Sequence, residues 1–421
     1  MVDCYFSVIS WRKSKTLIGM QIVPVNDPRT ENDFFKVEKV IYKNDPHFVA
    51  PLRQDIEKIF DPKKNKLFRD GAAQRWILKD AQGNLIGRIA AFVNAKTANT
   101  FKQPTGGVGF FECINDQAAA NLLFDTGREW LKERGMEAMD GPINFGEKLQ
   151  FWGLMIKNFT QHGSYGMTYN PEYYIGLFEN YGFKLYYNQL MYHRDLLMPA
   201  QEVFVCKAEM LKQDPEIRST NVVGWSDKYF AECFLEVYNS AWGGHEGFKM
   251  MNFDVAMKTI KAMKPVYDPR IVIFVFKKDR PIGFYVNLPE LNQVFKYLDG
   301  NLNLWGKLKF VWHRKVHPPT TMFGVIFGVV KEFHGRGVEG AMIKFAEEEI
   351  AHKTPYMDTI LGWIGDFNPK MLKVCENLGA SNYRTFATYR YLFDRNAPFE
   401  RAPIIGSEKH EETEGSKEAE S

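Results

Sequence analysis

The feature that most restricts this chain is that one order of elements occurs in it twice. Asn170-Pro-Glu…Glu179-Asn-Tyr-Gly182 in the first half is echoed by Asn368-Pro-Lys…Glu376-Asn-Leu-Gly379 in the second. One short match is weak, but a shared order of elements around both copies marks a duplication. In the first half, residues 34–42 have helical spacing. Apolar runs at 73–78 and 85–93 flank the hairpin signal Asp80-Ala-Gln-Gly-Asn84. A strand follows at 108–113, then a helix over 116–134 stopped by Gly135, a strand at 136–139, a helix over 171–181 stopped by Gly182, and strands over 183–192. The second half repeats this: a helix at 227–239, a hairpin of 271–276 and 282–288, a strand at 322–330, a helix at 338–352, a strand at 359–364, a helix at 369–377 and a final strand pair over 383–393. Such alternation predicts α/β units built on a mixed sheet.

A chain of 421 residues exceeds one ordinary domain and suits two. The expected division is an extension of uncertain status at 1–19, a first copy at 20–198, a second at 199–400 and an acidic tail at 401–421. Met20 fits a translation start as well as Met1 does. Hydrophobic residues at 45% and charged residues at 25% exclude a disordered chain, a collagen-like repeat and a disulfide-stapled miniprotein. Five widely spaced cysteines without a C-x-x-C pair read as reduced thiols in a cytoplasm, not as a disulfide framework or a zinc site. No stretch approaches the ~18 apolar residues of a membrane span, and Arg12, Lys13 and Lys15 interrupt the early apolar run, against a signal peptide. The net charge, 54 − 51 = +3, is too near neutral to suggest DNA as a partner. From Ser407 onward six Glu face two Lys, which leaves +7 on the remainder, and this tail reads as disordered.

Chemistry concentrates in Gly328-Val-Val-Lys-Glu-Phe-His-Gly-Arg-Gly-Val-Glu-Gly-Ala-Met342. A strand ends there, a glycine-bearing loop follows, and a helix begins. Gly335 and Gly337 allow a tight turn, and the first helical turn offers unpaired N–H donors and a positive dipole end. That combination holds a phosphate without a lysine; a glycine turn with no ligand is the competing reading. The matching stretch of the first copy, Cys113-Ile-Asn-Asp-Gln-Ala-Ala119, lacks glycine and places Asp116 at the helix cap, where it repels phosphate. No Walker loop, G-x-S-x-G elbow or H-E-x-x-H occurs. His313 and His317, four apart, are flanked by Arg314 and Lys315 and are not read as metal ligands. Their segment, Leu304-Trp-Gly-Lys-Leu-Lys-Phe-Val-Trp-His-Arg-Lys315, lies in an insertion at 291–319. It reads as a surface helix with snorkelling lysines, a membrane or nucleic-acid face being the alternative.

The loop resembles the acyl-CoA pyrophosphate motif of the GNAT (Gcn5-related N-acetyltransferase) superfamily, with His334, Gly337 and Glu339 at the motif positions. His334 and Glu339 depart from the common pattern. Residues 20–393 further resemble a bacterial family of tandem GNAT-like proteins. The resemblance is carried by Asp45-Pro, Gly87-Arg-Ile-Ala-Ala91, Asp140-Gly-Pro-Ile-Asn-Phe145, Trp152-Gly-Leu, Tyr169-Asn-Pro171, Tyr238-Asn-Ser-Ala-Trp242 and Pro281-Ile-Gly-Phe284. It implies two tandem GNAT-like domains, the first degenerate, and acyl transfer from acetyl-CoA or another acyl-CoA to a small-molecule or peptidyl amine, without a metal. The cofactor would lie along Phe327, Gly328, Val329, His334, Gly335, Arg336, Gly337, Val338, Glu339, Gly340 and Asn368. Trp242, His245 and Glu246 would border the acceptor. A general acid counted seven residues beyond Asn368 falls on Cys375, with Tyr383 as its substitute. Alternatives are a non-catalytic scaffold that binds acyl-CoA or a partner, and an aminoacyl transferase. The expected strand 322–330 carries no ionisable residue, which favours the scaffold.

Overall fold

The computed structural model describes residues 16–17, 19–199, 201–243 and 250–405. Chain contacts divide into two units: Met1–Asn188 with Asp299–Leu302 and Phe386–Ala402, and Gln189–Leu298 with Asn303–Thr385 and Pro403–Ser421.

The first unit begins with β1 (Thr16–Leu17) and β2 (Met20–Pro24), then α1 (Pro28–Ile41) and α2 (Arg53–Phe60). The strands β3 (Ala72–Lys79), β4 (Leu85–Val93) and β5 (Thr105–Cys113) follow, then α3 (Gln117–Lys132), β6 (Ala138–Gly141), β7 (Leu154–Lys157) and α4 (Tyr174–Tyr181). From β2 to β5 neighbouring strands pair antiparallel, and β5 and β6 pair parallel. Asp116 caps α3 by accepting from the N–H of Ala119 at 2.9 Å, as its residue type predicts. The apolar face of α3 buries Leu123, Phe124 and Trp130 against Trp76 and Ile89 of the sheet. Gly182 ends α4 in the left-handed conformation, at φ 107°, where a β-carbon would be strained.

The second unit repeats the plan. After β8 (Lys184–Asp195) come α5 (Glu202–Lys212), β9 (Ile217–Asn221), α6 (Asp227–Trp242) and α7 (Phe253–Met263). The hairpin β10 (Ile273–Lys277) and β11 (Arg280–Pro289) leads to the short helix α8 (Asn292–Phe295) and to α9 (Leu304–Val316). Then follow β12 (Thr321–Val329), α10 (Val338–Phe345), β13 (Asp358–Gly365), α11 (Pro369–Asn377) and β14 (Ser381–Leu392). From β9 to β12 pairing is antiparallel, and β12 and β13 are parallel. The core gathers Phe274, Phe276, Phe284, Val338 and Met342.

The last strand differs from the expected pair: 381–392 is a single strand, and so is 184–195. Each is long because each closes a sheet in the other copy. Residues Gln189 to Asp195 of β8 pair with β13 in the second unit, and Tyr389 to Leu392 of β14 pair with β6 in the first. A division at 199 therefore differs from the observed units at both ends. Residues 401–405, expected to open a disordered tail, are held: the Ala402 N–H donates to the Tyr186 carbonyl and the Ile405 N–H to that of Phe367. The remainder of the tail lies outside the described residues.

Residues 199–421 expressed alone lack β8, one of the two strands that pair with β13. They should show no cooperative urea transition by circular dichroism, and a fragment of 184–385 should recover one. A cooperative transition in 199–421 would show that β8 is dispensable.

Candidate functional site

In the second unit the parallel pair parts. β12 and β13 are in register only from Thr321/Asp358 to Gly324/Leu361. Beyond that point β12 continues against β11 to Val329, while β13, paired with β8 from Asp358 onward, keeps only that partner at Ile364 and Gly365. The β11–β12 register slips where Val286 faces Ile326 and Asn287 faces Gly324, so Val325 is an extra, bulged residue. Tyr285 reaches the vertex from β11. Its hydroxyl shares a 2.9 Å hydrogen bond with Thr359 Oγ1, and a β-carbon at Gly324 would lie 2.5 Å from that hydroxyl. Phe327, Gly328 and Val329 follow on the bulged strand, with Phe327 half-buried.

The loop after β12 carries His334, Gly335 and Arg336, all exposed. The His334 ring donates through Nε2 to the Val329 carbonyl at 2.9 Å, which ties it to the strand end. Arg336 lies 5.7 Å from the Phe333 ring. Gly337 is the N-cap of α10 at φ 95° and provides no side-chain cap, so the first-turn N–H groups lack an intrahelical partner and a side-chain acceptor. Val338 is buried, Glu339 half-buried, and Gly340 buried. The glycines have a packing reason that sequence reading missed. A β-carbon at Gly337 would overlap the Lys207 carbonyl of α5, and one at Gly340 would lie 2.6 Å from that of Phe204. A cleft of about 530 Å³ runs between α5, β9 and the body of α10, lined by Lys212, Arg218, Lys344 and Glu348; the loop does not line it.

The other expected residues scatter. Asn368 caps α11 by accepting from the Met371 N–H at 3.3 Å, a structural role. Cys375 is 1% exposed, packed with Tyr192 and Ala380, and burial pushes its thiol up to about 12. A thiol so reluctant to ionise is poorly matched to a CoA thiolate. Tyr383, on β14, is half-buried, and burial raises its pKa as well. Its ring lies 5.8 Å from that of His193. Trp242 ends α6, and His245 and Glu246 fall outside the described residues. His193 and Asp358, which the sequence reading did not single out, approach to 3.7 Å where β8 meets the start of β13. The Asp358 carboxylate beside the ring raises the histidine pKa above the usual imidazole value. His313 stacks on Tyr297 with centroids 4.0 Å apart. Among the described residues no group of three or more His, Cys, Asp and Glu is placed to hold a metal ion.

In the first unit the same fork is sewn shut. Parallel pairing ends at Gly107/Asp140, but the Ile143 N–H then donates to the Val108 carbonyl at 2.8 Å. A β-carbon at Gly109 would overlap the Ile143 carbonyl. The bulge recurs, with the β4–β5 register slipping between Arg88 and Ala90 and Phe110 at φ 50°. The helix that follows is capped by Asp116, unlike α10. This copy buries a charged cluster: Arg88 donates to Glu38 and to Glu112, while Tyr42 and Tyr174 each donate to Glu112 at 2.8 Å. One guanidinium balances one carboxylate, and burial pushes Glu112 up to about 7.

Each unit sets a parallel strand pair in a mixed sheet, with a bulge beside the pair and a helix after it; the pair is forked in the second unit and bridged in the first. The chain is thus a tandem α/β protein, similar in arrangement to the GNAT-like fold. No protein-family model matches it. It is 26% identical over 396 residues to a Bacterial ceramide synthase of Caulobacter vibrioides (strain NA1000 / CB15N), covering 89% of this chain and 98% of that protein. It is 24% identical over 397 residues to Protein YghO of Escherichia coli (strain K12), covering 90% and 98%. Among solved structures it is similar to a tandem GNAT protein from the clavulanic acid biosynthesis pathway, at 10% identity and a TM-score of 0.47, covering 90% of this chain and 100% of that one.

Two predictions follow from these sites. Gly335→Ala meets no neighbour and should cost only the left-handed strain, about 1–2 kcal/mol. Gly337→Ala should cost more in urea titrations, because it also displaces α5; equal losses would contradict that packing. Glu112, held protonated above its unfolded value of about 4.3, binds a proton that the unfolded chain releases. Stability should therefore fall as pH rises from about 4.5 to about 7, by on the order of 3 kcal/mol from this group. Glu112→Gln should flatten that slope, and an unchanged slope would place the titration elsewhere.

Proposed function

We propose that the second unit transfers an acyl group from acyl-CoA to an amine. The observation that carries this reading is the contrast between copies: the second has a bulged fork leading to a helix N-terminus without a side-chain cap, whereas the first has a bridged fork and a capped helix. The N–H groups of 338–340 and the Arg336 guanidinium suit the CoA pyrophosphate. The backbone around Val325 and Phe327 suits polarisation of the thioester carbonyl. The amine attacks that carbonyl, the carbon–sulfur bond breaks, and CoA leaves as thiolate. With no ionisable side chain on β12 and a thiol at Cys375 that does not readily ionise, positioning is the main contribution. Similarity to a ceramide synthase along nearly the whole chain favours a long-chain amino alcohol as acceptor and amide formation as the outcome.

The test measures thiol release from acyl-CoAs of several lengths with long-chain and short amines, alongside CoA affinity by thermal shift. Arg336→Glu should weaken CoA binding at least about tenfold, in keeping with a charge-assisted contact, and Asp116→Ala should leave it unchanged. Cys375→Ala and Tyr383→Phe should each lower kcat by less than ~100-fold. CoA binding without turnover on any amine would favour a non-catalytic scaffold, the reading that β12 itself supports.

A further inference from the structure

The insertion between β11 and β12 presents a face that the acyl-transfer reading does not use. Inward, α9 offers Gly306 and Phe310, both buried, and Phe310 packs on Phe295 with centroids 5.5 Å apart. Arg314 anchors the last turn by donating to the carbonyls of Pro265 at 2.8 Å and Tyr267 at 3.1 Å. Outward the helix is apolar. Trp305 is 73% exposed and Trp312 64%, and Leu304, Leu308, Val311 and Val316 are exposed beside them. At about 100° per residue these six fall within one arc of about 140°. Lys315 projects within the arc, while Lys307 and Lys309 border it on either side; all three are exposed. No Asp or Glu lies between Asp299 and Glu332. Isolated exposed apolar residues are ordinary, whereas a contiguous face of them marks an interaction surface.

We propose that α9 docks flat on an anionic lipid bilayer, its tryptophans and aliphatic side chains entering the headgroup boundary and its lysines reaching lipid phosphates. Indole rings and lysine-bordered apolar arcs suit that boundary, where the ring is half-immersed and the ammonium snorkels to the anion. Charge complementarity singles out this occupant. A second copy docked about a two-fold axis would set the lysine-bordered faces against each other with no acidic residue between them. A nucleic-acid strand would match the lysines and leave Leu304, Leu308 and Val311 uncovered. The contact is reversible, since a helix about 20 Å long carries little apolar area. α9 precedes the start of β12 and the loop 335–340 follows its end, nine residues or roughly 30 Å away. The proposal stands on α9 alone and does not depend on acyl transfer.

The test is flotation of the full chain with vesicles of phosphatidylglycerol and phosphatidylcholine, or of phosphatidylcholine alone, at low and high salt. The chain should float with the anionic vesicles, less so at high salt, and with brominated lipid its tryptophan fluorescence should be quenched. Trp305→Ser with Trp312→Ser should lower partitioning at least about tenfold, and loss of one lysine charge, as in Lys309→Gln, about fivefold. All three side chains are exposed, so the thermal transition should not move; if the tryptophan pair fails to fold, Lys307→Gln and Lys309→Gln carry the test. Absence of flotation, or flotation indifferent to both sets of variants, overturns the proposal. So does a dimer in sedimentation velocity that the tryptophan substitutions dissolve while vesicles leave the chain unbound.

Discussion

Every peptide group in a buried sheet must find a partner, and that requirement governs how a parallel pair can open. When β13 leaves β12 beyond Gly324 and Leu361, it keeps β8 on its other edge, at Leu190 and Gln189. β12 keeps β11 on its other edge, with Val325 absorbing the misfit as a bulge. The opening between the strands, the vertex held by Tyr285 and Thr359, and the direction in which the chain leaves for the loop before α10 all follow from that division of partners. In the first unit the same requirement is met differently: Ile143 supplies the missing partner to Val108, and the opening is lost.

Much of this was legible. The hairpins announced themselves by alternating apolar runs around Asp80 to Asn84 and around Lys277 to Arg280, because turn chemistry is local. Asp116 and Asn368 marked helix starts, and Gly182 a helix stop, for the same reason. Features that depend on partners distant in sequence were not legible. Residues 381–392 alternate like two strands of a hairpin, and only the identity of their neighbours shows that they form one. Glu112 sits in an apolar run, Gly-Phe-Phe-Glu-Cys, and nothing nearby announces the buried Arg88. The glycines at 337 and 340 fit an anion loop by spacing, yet the backbone of α5 presses on both. Helical spacing in α9 shows an apolar stripe but not which side of the helix the protein covers.

The exchange of closing strands has a consequence for how the two copies can age. In a simple duplication, a copy that has lost its own cleft is surplus and can be deleted. Here a deletion that ends at the copy boundary removes an edge: the chain that ends the first copy, β8, completes the sheet of the second, and β14 returns the service. The first unit can fill its fork with Ile143 and cap its helix with Asp116 while the strand that follows it, β8, stays in use by the second. Redundancy has become interdependence, so drift in one half is constrained by the other half's need for an edge.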